Sequence, residues 1–361
     1  MLNTKMYGHN SGFSLVEMTI VLVIAAIALT MGVTAFSAAM ANAAHSTTTK
    51  RQEMIKAALV SYVSKYRRLP CPDLPGASGN LPGTGDDNRT TPGNVATTCA
   101  SVVGVVPYID IGLPRETVLD GWDNFFTYAA TIDASNPKLD WTRSTNFIPG
   151  KLGNLSVLLR DPATSSSTTN VTAPEFAAFV LISHGPNGLG AWASQGTANV
   201  APLAGSDEAT NASGGTNFIQ REPSTNAALT YGAFDDQVTF MKPSELLAGL
   251  IKDGAIRSAE GETRKALGDL QEAIIGSSIA SATLPASYTM PDDGWGTLLI
   301  YNRLYSSQIK ASTSPGNVAA FTIRSAGPNR VDESGANDDV VYSVSIDTLK
   351  AVYARAGTLL P

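Results

Sequence analysis

The sequence predicts an α+β protein. It reads as one long N-terminal α-helix, its first half transmembrane, followed by two tandem domains, each a helix packed on a small antiparallel sheet. Three observations carry this reading: an apolar run near the N-terminus, an amphipathic continuation behind it, and an internal repeat that pairs the middle of the chain with its end. The 361 residues leave room after the first helix for two modest domains.

The apolar run comes first. A short polar leader with Lys5 and His9 ends at Gly12, and from Phe13 to Ala44 the only ionisable side chain is Glu17. Met18 to Phe36 is long enough as a helix to span a hydrocarbon core of about 30 Å. A carboxylate near the start of such a helix is costly, which makes Glu17 a functional candidate. An ordinary secretory signal peptide is the competing reading, with Ala38-Ala39-Met40-Ala41-Asn42-Ala43 as its small-residue cleavage region. Glu17 and the Gly12-Phe13 junction stand against it.

Gly12-Phe13-Ser14-Leu15-Val16-Glu17 resembles the type IV prepilin cleavage motif without departures. The resemblance implies cleavage by prepilin peptidase between Gly12 and Phe13, N-methylation of Phe13, and a role for Glu17 in neutralising the amine of a neighbouring subunit during assembly. It also implies other pilin or pseudopilin subunits, an inner-membrane assembly platform and membrane lipid as partners. The protein would then be a single-pass inner-membrane protein with a periplasmic body, assembled into a pseudopilus or a cell-surface pilus.

The helix continues past the membrane. Met54, Ile55, Leu59, Tyr62 and Val63 recur at helical spacing among good helix formers, and Leu69-Pro70-Cys71-Pro72 forces an end. The expectation is a helix from about Phe13 to Tyr66, apolar all round at first and amphipathic later, its apolar stripe lying on a globular body.

Residues from Pro70 to Pro92 read as a loop rich in Pro, Gly, Asp and Asn, whose Asp86-Asp87-Asn88 is a solvated tip or a cation site. Cys71 and Cys99 flank it. In a periplasmic body a disulfide is their natural state, with two unrelated free thiols as the alternative. Val102 to Ile111, Phe125 to Tyr128, Leu155 to Leu159 and Ala177 to Ile182 read as strands or extended segments, and Ser183 to Gly188 as a turn. Gln195 to Tyr231, rich in small and polar residues, gives no assignment.

The repeat sets the domain count. Asp120-Gly121-Trp122 through Tyr128 aligns without gaps on Asp293-Gly294-Trp295 through Tyr301. Ala177 through Asn187 aligns on Ala319 through Asn329, and Asp235-Asp236-Gln237-Val238 on Asp338-Asp339-Val340-Val341. The order is the same in both, and Leu69-Pro70 corresponds to Leu284-Pro285 after a second helix running from about Ser244 to Ile279. The divisions follow: leader 1–12, N-terminal helix 13–66 with its membrane half about 13–40, a first domain 67–243 with insertions, and a second, compact domain 244–361.

The order of these features resembles the major pseudopilin of type II secretion systems, whose Asp-x-Trp-Gly hairpin precedes an acidic loop that binds calcium. Asp293-Gly294-Trp295-Gly296 through Tyr301 matches the hairpin, and Ser325 to Asp339 matches the loop in kind. The ligand positions implied are Asp332, Asp338 and Asp339, with Asn337 and the region of Asn329 adding oxygens. Calcium takes six to eight hard oxygen ligands, which carboxylates, amides and carbonyls of one loop can supply. Arg330 inside the loop departs from the pattern. In the first copy Asn187 and Asp235-Asp236 correspond, and Asp207-Glu208 from the insertion is the candidate third contributor.

No nucleophile elbow, P-loop, zinc-protease or dinucleotide pattern occurs, so no enzymatic activity is expected. Trp122 and Trp295 read as packing anchors. Net charge is −6, which argues against a nucleic-acid-binding body, although Lys65-Tyr66-Arg67-Arg68 is locally basic. The expected function is that of a structural pilin-like subunit, of minor rather than major type from the size of its body. The alternatives are a pilus-associated adhesin or DNA-uptake pseudopilin acting as a binding protein, and a secreted hydrolase with an ordinary signal peptide.

Overall fold

The computed structural model describes residues 14–74, 89, 94, 96–136, 138, 140–143, 148–309 and 317–357; for 28–35 only the backbone is described. The Asp86-Asp87-Asn88 loop tip lies outside these residues.

Helix α1 spans Leu15–Tyr66, 52 residues. Ser14 starts it with a capping box: its hydroxyl accepts from Glu17 N (3.2 Å) while Glu17 Oε2 accepts from Ser14 N (2.9 Å). The helix stops at Arg67, which turns left-handed (φ 55°) and returns its N–H to Val63 O. Leu15, Val16, Met18, Ile20 and their neighbours are exposed; of the expected stripe Ile55, Leu59, Tyr62 and Val63 are buried, but Met54 is exposed. Among the described residues no helix is long and apolar enough to cross a membrane. A transmembrane first half therefore rests on the sequence of Met18 to Phe36, whose middle side chains are not described.

Four strands build the sheet beneath the buried half of α1. They are β1 (Val103–Val105), β3 (Thr127–Ala130), β6 (Phe179–Ser183) and β9 (Gln237–Met241), hydrogen-bonded in that order and all antiparallel. A short β2 (Asn124–Phe125) precedes β3 and pairs with β7 (Trp192–Ala193). Side chains alternate across the sheet as strand geometry requires. Tyr128, Ala130, Phe179 and Leu181 face Ile55, Leu59 and Val63, while Ala129, Val180 and Ile182 face the other way. That second face is covered by a smaller sheet, ordered β5 (Thr169–Asn170), β4 (Ser156–Leu159), β8 (Asn217–Gln220), through Leu155, Val157 and Phe218. The segment 195–231, unreadable in the sequence, contributes β8 and the short helix α2 (Asp207–Ala212).

The single helix expected from about Ser244 to Ile279 is two. Helix α3 (Pro243–Lys252) ends at Asp253, and α4 (Ala259–Ser278) starts on its own N-cap, Ser258. The break has a packing reason. Leu246, Leu247 and Leu250 of α3 join the core under α1, whereas Leu267, Leu270 and Ile274 of α4 join a different core. The change from one core to the other falls between α3 and α4, at 253–258.

The second core lies on an antiparallel meander of β10 (Ile300–Arg303), β11 (Ala319–Ser325) and β12 (Val340–Ser345). Helix α4 crosses it, joined by a C-terminal helix α5 (Ile346–Arg355) that the sequence reading lacked. Its Ile346, Leu349 and Tyr353 are buried, and Tyr353 Oη lies 2.6 Å from Ser278 Oγ of α4.

Cys71 and Cys99 are joined by a disulfide. Closing a loop of this size restricts the unfolded chain by about 3.6 kcal/mol in the chain-entropy account.

Candidate functional site

Gly12 and Phe13, the expected processing positions, lie outside the described residues. What is described begins one residue later, with Ser14 and Glu17 locked in the capping box. The Glu17 carboxylate is thereby held beside the first turn of α1, among the exposed apolar side chains of Leu15, Val16, Met18 and Ile20.

The two aligned Asp-Gly-Trp stretches form the same bonds. Asp120 Oδ1 accepts from Trp122 N and Asn124 N, and Asp120 Oδ2 from the Ser183 hydroxyl. Asp293 Oδ1 accepts from Trp295 N and Thr297 N, and Asp293 Oδ2 from the Ser325 hydroxyl. Gly121 N donates to Thr48 of α1, and Gly294 N to Thr263 of α4. Tyr128 donates to Pro70 O, and Tyr301 to Pro285 O. The hairpin start is thus tied to a helix, a central strand and the Leu-Pro segment in both places. Burial pushes the Asp120 carboxyl up, against the hydrogen bonds from Ser183, Asn124 and Trp122.

Each Gly-Pro-Asn turn leads into a carboxylate cluster. In the 325–339 loop the carboxylates that converge are Glu333, Asp338 and Asp339, each with an oxygen within 4.8 Å of the others. Asn329 organises them: its N–H donates to Asp338 Oδ2 (3.0 Å) and its amide to Glu333 Oε1 (2.6 Å). Asp339 Oδ2 accepts from Glu333 N and Gly335 N. Glu333 Oε2 and Asp339 Oδ1 have no hydrogen-bond partner. Such oxygens suit a hard cation.

Asp332, expected among the ligands, is placed elsewhere. Both its oxygens take the fork of Arg324, each at 2.7 Å, and that guanidinium holds its carboxyl down at about 2. Glu333 occupies the position Asp332 was expected to fill. Asn337 takes a left-handed backbone (φ 53°) at the turn before Asp338. Arg330 reaches away from the cluster, donating to Trp295 O and Gly150 O.

In the first half the converging carboxylates are Glu208, Asp235 and Asp236. Asn187 stands where Asn329 does, donating its N–H to Asp235 Oδ2 and its amide to Glu208 Oε1. Burial, then the neighbouring Glu208 charge, pushes Asp235 up to about 7, and burial likewise raises Glu208. Asp207, paired with Glu208 in the sequence reading, points instead between Arg160 and Arg221.

In the basic run 65–68 Lys65 and Tyr66 are exposed, while both arginines are engaged. Arg68 is buried against Tyr62, and Arg67 donates to Ala255 O. Trp122 packs edge-on to His45 of α1, as an anchor would.

Residues 8–33 match the family described as Prokaryotic N-terminal methylation motif. No curated protein and no solved structure matches the chain. The matched stretch includes Gly12, Phe13 and Glu17 and runs into α1, and it supports a type IV pilin- or pseudopilin-like protein.

Proposed function

We propose that this chain is a structural, pilin-like subunit of a type II secretion pseudopilus or type IV pilus, of minor type. One observation carries the reading: the methylation motif leads directly into a 52-residue helix that begins with exposed apolar residues, Leu15 to Ile24 among them, and later buries Ile55, Leu59 and Val63 on a sheet. Prepilin peptidase would cut between Gly12 and Phe13, and the run from Met18 to Phe36 would hold the precursor in the inner membrane with the body in the periplasm. Cys71–Cys99 bonding fits that compartment. Mass spectrometry of the membrane-extracted protein should find a mature chain starting at methylated Phe13. A start after Ala41 or Ala44 would sink the reading in favour of an ordinary signal peptide.

The two matching sets of hydrogen bonds, at Asp120 and Asp293, support an internal duplication of one pseudopilin-type unit. On that reading the 325–339 loop binds calcium through Glu333, Asp338 and Asp339. The residues fit the ion, since Glu333 Oε2 and Asp339 Oδ1 lack partners, Asn329 holds Glu333 Oε1 and Asp338 Oδ2 in place, and Glu333 N and Gly335 N hold Asp339 Oδ2. Calcium at about 100 times its dissociation constant stabilises a folded protein by about 2.7 kcal/mol. Calcium should therefore raise the melting temperature of the detergent-solubilised chain by several degrees, and Asp338→Ala should remove part of that gain. Equal gains in the two proteins would leave the loop an ordinary acidic turn.

A further inference from the structure

We propose that Glu208, Asp235 and Asp236 form a second divalent-cation site, of calcium type, and that the ion fastens the 195–231 segment to the central sheet. Unlike the 325–339 loop, this site draws one ligand from a helix in an inserted segment, far in sequence from the other two.

Burial is the first argument. Glu208 is 3% exposed and Asp236 6%, and the three carboxylates place oxygens within 4.8 Å of one another. Three acids this close cannot all stay ionised without a compensating charge. Among the described residues no Lys or Arg pairs with any of them. Arg160 and Arg221 are spent on the neighbouring carboxylate: Arg160 Nε lies 3.0 Å and Arg221 Nε 2.8 Å from Asp207 Oδ2. His184 Nδ1 is 3.4 Å from Asp236 Oδ1 but makes no hydrogen bond to it, and its Nε2 is engaged with Thr127. Asp207 shows what a neutralised buried carboxylate looks like in this protein, and the other three differ from it.

Hydrogen bonding is the second argument. Each acid has one oxygen fixed by donors. Glu208 Oε1 accepts from the Asn187 amide (3.0 Å) and Asp235 N (3.1 Å), Asp235 Oδ2 from Asn187 N (3.2 Å), and Asp236 Oδ2 from the Asn211 amide (2.8 Å). Asp235 Oδ1 and Asp236 Oδ1 are left inaccessible to solvent and without any hydrogen-bond partner. A buried carboxylate oxygen without a partner is costly, so native structures seldom keep one without a reason. Oriented oxygens with open lone pairs around one point are what a hard cation requires. An all-carboxylate set selects calcium over zinc, which prefers nitrogen and sulfur.

Counting ions tests this. In equilibrium dialysis with radioactive calcium, the full chain in detergent should bind two ions. Asp338→Ala should leave one, and Glu208→Gln should remove the other while keeping the ion of the 325–339 loop. The paired variant Glu208→Gln/Asp338→Ala should bind none. If Glu208→Gln and Asp236→Asn bind as many ions as the parent, the proposal is overturned. Loss on Asp338→Ala with none on Glu208→Gln would leave only the 325–339 loop as a site; the reverse would leave only the one argued here. Folding is checked by melting in EDTA. Glu208→Gln should melt no lower than the parent, because it removes a repelling charge, whereas a residue needed only for packing would melt lower.

Discussion

At Gly294 the backbone passes so close to the Ala259 carbonyl of α4 that a β-carbon would overlap its oxygen, and Gly121 stands in the same relation to Ala44 of α1. The N–H of each glycine meanwhile donates to a threonine one turn along that helix, Thr263 or Thr48. Gly294→Ala should therefore destabilise the chain by about 1–3 kcal/mol, the usual cost of overpacking, read from urea melts; an unchanged midpoint would mean the helix shifts freely. The Asp-Gly-Trp pattern was visible in the sequence, but its reason was not, since the glycine answers to a helix about 35 or 77 residues upstream. The carboxylates teach a similar lesson. Asp332 and Glu333 are neighbours, and nothing in their order said which would face the cluster. Arg324 on β11 decides it by taking both oxygens of Asp332. Asn211, which positions Asp236, carried no signal at all, because its partner is brought to it only by the fold.

Elements show where periodicity suffices. Helix α1 was legible almost to its ends: the apolar run, the stripe of Ile55, Leu59 and Val63, and Leu69-Pro70 all agree with the observed Leu15–Tyr66. Its capping box places Glu17 at the first turn, where a positive helix end and a neighbouring subunit's amine would compete for it. Glu17→Ala should leave the protein in the membrane fraction yet cut its recovery in sheared filaments severalfold; normal incorporation would remove the amine-pairing role. The α3–α4 break was missed because both pieces keep apolar residues at helical spacing. Their stripes serve different cores, a fact available only once the sheets exist. Helix α5 went unread although Ser345 caps it and Ile346, Leu349 and Tyr353 share a face, a pattern too short to stand out beside a strand.

Across the whole molecule the two cores meet around Gly150, Gly294 and Arg330. Gly150 N donates to Gly294 O (2.9 Å), Arg330 Nη2 to Gly150 O (2.9 Å), and Lys138 pairs with Asp292 at 2.6 Å. Arg330, which looked like a flaw in an acidic cation loop, is the piece that binds that loop to the other half of the chain. Arg330→Ala should raise amide hydrogen exchange at Gly150 and its surroundings severalfold while leaving exchange in β10 to β12 unchanged; equal exchange throughout would show the joint held without it. The sequence by itself determined the processing motif, the long helix, the paired hairpin and turn segments, and the sign of the charge. These are local properties: a peptidase motif, a helical stripe and a turn are written in consecutive residues. Tertiary structure alone decided which carboxylates converge, which helix serves which core, where the 195–231 segment lies, and what Arg330 touches. Those depend on residues far apart in the chain meeting under burial, where one cation or one hydrogen bond settles the matter between chemically equal neighbours.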